Sequence, residues 1–166
     1  MAVFLRRILR IGKMPEDVRA ELDAEGVMFL AEFVPVTYRF SGSVPGKTAN
    51  KEIRSYVGAL ALTSQRVLAT LSSVPKRAGR TIDQRWDTSQ NGIVTAALSS
   101  TGLQLDVDVA RVDPGFRGDF KGQLSLTYKT TIPDEVLSRL PTRTLSFDVP
   151  PEYVLRAVGV PTRRSG

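Results

Sequence analysis

Few residues in this chain could do chemistry, and two absences set the limits. The 166 residues include no cysteine and no histidine. Thiolate nucleophiles, disulfides, Ser–His–Asp and Cys–His arrangements and imidazole-ligated metals are excluded by inventory. Gly42-Ser43-Val44-Pro45-Gly46-Lys47-Thr48 could at first sight cradle a phosphate. A phosphate loop needs glycine, four residues, then Gly-Lys-Ser/Thr, and it must open a helix. Counting back from Gly46, the first glycine belongs at position 41, which is Ser41, and the segment leads toward a strand. It reads as a loop joining strands. Asp106 and Asp108 share one face of an alternating segment, where paired carboxylates can hold a metal or act as acid and base. No third ligand accompanies them, so they read as the polar side of a strand. Trp86, Tyr38, Tyr56, Phe120 and Tyr128 could stack bases. They lack an RNA-recognition signature and are expected in the core. Neither catalysis nor a cofactor is expected, and nucleic acid is an unlikely partner on this reading.

Charge is distributed unevenly. The chain carries 23 basic and 17 acidic residues, for a net charge of +6. Residues 39–80 hold Arg39, Lys47, Lys51, Arg54, Arg66, Lys76, Arg77 and Arg80 against one acid, Glu52. A positive excess confined to one quarter of the chain points to an anionic partner.

These residues need elements to position them. On a helical wheel Phe4, Leu5, Ile8 and Leu9 fall on one arc, and Arg6, Arg7 and Arg10 on the other. This arc is expected to contact a membrane or a partner protein. The same arginines break any signal-peptide core, and no apolar run reaches the roughly 18–20 residues of a membrane span. The expected location is the cytoplasm, with peripheral contact at the membrane. A second short helix opens at Pro15 and ends at Gly26. From Val27 the period changes to that of strands. VMFLAEFVPVTYRF reads as a long strand, SGSVPGKTAN as a loop, and IRSYVGALAL with RVLATLS as a hairpin through Thr63-Ser64-Gln65-Arg66. TIDQRWD and IVTAALS read as a second hairpin through Asn91-Gly92. LQLDVDVARV and QLSLTYKT are further strands. A short helix starts at Pro133, a final strand is RTLSFDV, and PPEYVLRAVGV forms a closing helix.

Residues 58–71, GALALTSQRVLATL, resemble the second and third strands of bacterial PH-like and GRAM-like domains through Leu62, Thr63, Arg66, Val67 and Leu68. Thr63 suits the turn because its side chain can bond the backbone there. The resemblance covers about residues 27–149 and implies a mainly β fold. That fold is a PH-like barrel of two near-orthogonal antiparallel sheets, about seven strands in all, with short flanking helices. The implied organisation is an N-terminal amphipathic helical segment at 1–26, the barrel at 27–149, and a short closing helix and tail at 150–166. It also implies a binding module without catalysis. Its basic loops carry Lys47, Lys51, Arg54, Lys76, Arg77 and Arg80 and face an anionic membrane surface or an acidic protein. A structural or oligomerising domain, forming a homo-oligomer, and a barrel holding a small ligand are the alternatives.

Overall fold

The computed structural model describes residues 13–72, 79–88, 90–112 and 120–160. Its strands are β1 (Val27–Val44), β2 (Lys47–Thr63), β3 (Arg66–Ser72), β4 (Gly79–Arg85), β5 (Val94–Ser99), β6 (Gly102–Asp108), β7 (Lys121–Lys129) and β8 (Thr144–Phe147). The helices are α1 (Glu16–Glu25), α2 (Asp134–Arg139) and α3 (Pro151–Ala157), with a 3-10 turn at Val109–Arg111. All eight strands join one antiparallel sheet in the order β4-β3-β2-β1-β7-β6-β5-β8, nearly closed into a barrel.

The expected mainly β fold with short helices is present. Among the described residues the strands number eight, where about seven were expected, and the hydrogen bonding runs through one continuous order. The reason lies in β1. It is 18 residues long and pairs with β2 along most of its length and with β7 from Val36 to Ser43. One strand thereby joins the β1–β4 meander to the β5–β7 meander.

Alternation decides which side of each strand faces inward. Val36, Tyr38 and Phe40 of β1, Leu124, Leu126 and Tyr128 of β7, and Leu103, Leu105 and Val107 of β6 are all buried in one cluster. Leu145 and Phe147 of β8 complete it from the far edge. The upper half of β2 departs from alternation, because every residue from Val57 to Thr63 is buried. The cause is α1. Val18 and Leu22, with Met14 before the helix, pack on Ala59, Ala61 and Leu68, which form the outer face of β2 and β3. Leu22 is fully buried there, a contribution of about 2 kcal/mol. Small residues at 59 and 61 let the helix approach closely.

Two expected connections are corrected. Residues 41–50 are not a loop: β1 and β2 continue to Val44 and Lys47, and only Pro45 and Gly46 turn. Asn91-Gly92 is not a hairpin turn either. β4 pairs with β3, while β5 pairs with β6 and β8, so β4 and β5 lie toward opposite ends of the strand order. Gly92 is needed there for another reason: a Cβ would lie 2.1 Å from the carbonyl carbon of Phe147. Residues 1–12, with Phe4, Leu5, Arg6, Arg7, Ile8, Leu9 and Arg10, lie outside the described residues.

Candidate functional site

β3 pairs only with residues 57–62 of β2. Between Lys47 and Tyr56, β2 therefore has β1 on one side and no ladder partner on the other among the described residues. Along this half the inward face carries the polar side chains of Glu52 and Arg54. Glu52 stands opposite Phe40 and Arg54 opposite Tyr38.

Glu52 is the centre of this region. Its Oε1 accepts hydrogen bonds from the Tyr38 hydroxyl at 2.7 Å and from Lys47 Nζ at 2.8 Å, and its Oε2 accepts from the Arg54 guanidinium at 3.2 Å. Lys47 Nζ also donates to the Val158 carbonyl at 2.8 Å, just beyond α3. The bonds from Lys47 and Tyr38 hold the Glu52 carboxyl down to about 2. Burial, then the bond to Glu52, pushes the Tyr38 phenol well above its ordinary range. Tyr56 meets the Tyr38 ring edge-on, with centroids 6.0 Å apart. At neutral pH the group therefore holds an ionised carboxylate, a protonated phenol and two cations. Its sum is one positive charge, and Arg54 is half-exposed. Such a group can offer charge and donors, but it contains no base poised near neutrality.

A second network surrounds Arg66. Its guanidinium meets Glu25 at 2.7 Å, Asp83 at 2.8 Å and Glu21 at 3.0 Å. Burial pulls against its charge, but the bonds to Glu25 and Asp83 outweigh this and hold it charged. Arg80 pairs with Asp83 in the same network. The Thr63 hydroxyl oxygen accepts from the backbone amides of Gln65 and Arg66 at 3.1 and 3.0 Å, the turn bond expected of it. These residues clamp α1 to the β2–β3 hairpin.

The six proposed basic residues thus have different settings. Lys47 and Arg54 meet at Glu52. Arg80 is held in the separate Arg66 network. Lys51 sits at a β-bulge opposite Ser41, with φ +55, and makes no salt bridge among the described residues. Lys76 and Arg77 lie outside the described residues. Tyr38 was missed as a site residue because its inward alternation marked it as core. Glu52 carried a usable signal, as the lone acid of its segment.

No protein-family model matches the chain, and no curated protein and no solved structure does. Among the described residues, no cluster of three Asp or Glu could hold a metal ion, and no helix is long and apolar enough to cross a membrane. Asp106 and Asp108 lie on the outer face of β6, paired across the sheet with Ser125 and Gln123.

Proposed function

We propose that this chain is a PH-like binding module without chemistry of its own, whose basic rim engages an anionic membrane surface. The observation that carries this reading is the convergence of Lys47 and Arg54 on one carboxylate along an uncovered stretch of β2. Two cations on one acid leave a local positive charge, presented to solvent by the half-exposed Arg54. Lys51, one residue before Glu52, is exposed and makes no salt bridge among the described residues, and the sequence adds Lys76, Arg77 and the arginines of residues 1–12. A basic rim and an amphipathic N-terminal segment together supply the two weak contacts that stable peripheral attachment takes. In this reading the two meanders correspond to the two near-orthogonal sheets of a PH-like barrel, and α3 stands in for its closing helix.

Co-sedimentation with vesicles tests the reading. The full chain should pellet with anionic vesicles at low salt and remain in solution with neutral ones. Arg54→Glu, combined with Lys76→Glu and Arg77→Glu, should lower the binding constant about a hundredfold or more, because each near-surface charge contributes about 1 kcal/mol. Equal recovery with neutral and anionic vesicles would remove the membrane reading. An acidic protein is then the remaining anionic partner.

A further inference from the structure

The outer face of the sheet is polarised in a way the rim does not explain. Pairing across the sheet aligns Ile53, Arg39, Ser125, Asp106 and Thr95 in one row over β2, β1, β7, β6 and β5. The adjacent row holds Ser41, Gln123 and Asp108, with the bulged Lys51 beside Ser41. The β2–β1 side of this face is therefore basic, through Arg39 and Lys51. The β6 side is acidic, through Asp106 and Asp108. β7 separates them with uncharged Gln123 and Ser125 in these two rows, and carries Lys121 and Lys129 at its ends on the same face.

None of the four charges forms a salt bridge among the described residues. Arg39 and Asp106 stand two strands apart, about 10 Å at ordinary strand spacing, on either side of Ser125. They line one open groove of about 510 Å3 together with Ile53 and Lys51. Ile53 is 62 % exposed and is the exposed large hydrophobic side chain among the described residues.

We infer that this face binds a second copy of the chain. A two-fold axis along β7, between two facing sheets, carries β1 over β6 of the other copy. Arg39 of each copy then meets Asp106 of the other, and Lys51 turns toward the other copy's Asp108. Ile53 on β2 and Thr95 on β5 flank these contacts. Such isologous contact needs a self-complementary patch, and a face basic on one side of its midline and acidic on the other is one. A single-sign partner fits only half of it, since a polyanion is repelled by Asp106 and Asp108. The dimer rests on exposed charges, so it should be weak and sensitive to salt.

The experiment is sedimentation of the full chain over a concentration series to about 1 mM, where even a millimolar constant is visible. The wild type should dimerise at about 50 mM salt and weaken at about 500 mM. Arg39→Glu and Asp106→Lys, both on exposed positions, should each weaken dimerisation about tenfold or more, because each places like charges opposite one another twice. Mixing the two variants should restore dimers. In a mixed pair the two substituted positions face each other with opposite signs. At the other contact the native Asp106 faces the native Arg39, so both contacts are again attractive. A wild type that stays monomeric throughout the series overturns the inference. So does a mixture no more dimeric than either variant alone, or a variant that dimerises as well as the wild type. Because the readout is association in the absence of lipid, its failure is distinct from failure of the vesicle test.

Discussion

Lys47 Nζ lies 2.8 Å from the carbonyl oxygen of Val158, joining the β1–β2 turn to the end of α3 across 111 residues of sequence. On the other side of the same helix, the Tyr153 hydroxyl donates to the Thr81 carbonyl on β4 at 2.7 Å. A seven-residue helix is too short to persist alone, so these two anchors and the burial of Val154 and Val158 hold it. Replacing Lys47 with Met should remove the anchor and leave Glu52 short of a partner, at a cost of about 1–2 kcal/mol. Urea denaturation should show that loss, and amide exchange should accelerate at residues 154–160 more than in β6 or β7.

Glu52 should make stability depend on acid. Its carboxyl falls from 4.5 to about 2 in the folded chain, because Lys47 and Tyr38 bond the ionised form. A depressed carboxylate adds stability that is complete above its unfolded value and is lost as pH falls toward its folded value. Its contribution should therefore be lost between about pH 4.5 and pH 2. Glu52→Gln should flatten that part of the stability profile. Thermal melts of both proteins across this window measure the difference, and parallel profiles would count against the network.

Gly92 and Gly79 make a matched pair. A Cβ at Gly92 would lie 2.1–2.5 Å from backbone atoms of Phe147, whereas one at Gly79 would meet nothing within 4 Å. Backbone atoms cannot yield as a flexible side chain can. Gly92→Ala should destabilise by about 1–3 kcal/mol, and Gly79→Ala should be close to neutral or slightly stabilising. Urea midpoints of the two variants provide the check.

Periodicity made most of the strands legible. Leu103, Leu105 and Val107 alternate with polar residues in sequence and are buried in the core. The Thr63–Arg66 turn was equally readable, since Thr63 acts on amides two and three residues away. Misreading arose where a local signal had two meanings. Gly42 and Gly46 looked like loop residues, yet Gly42 sits within a paired strand. A Cβ there would be 2.0 Å from the Lys121 carbonyl oxygen, so glycine serves the close approach of β7. Asn91-Gly92 carries a strong turn signal, but its partner is the Phe147 backbone 55 residues on. The basic residues were visible as a cluster in sequence, while their partners were not. Arg66 depends on Glu21 and Glu25, more than 40 residues earlier, and on Asp83.

The sequence by itself determined the absence of thiol and imidazole chemistry, the positive sign of its middle segment and the inward side of most strands. These follow from residue inventory and from a two-residue period, which need no distant contact. Only the tertiary structure decided which cations keep free charge, how the two meanders join through β1, and that Arg39 and Asp106 share one row. Strand order and register bring together residues remote in sequence, and a local pattern holds no record of the strand that will lie beside it.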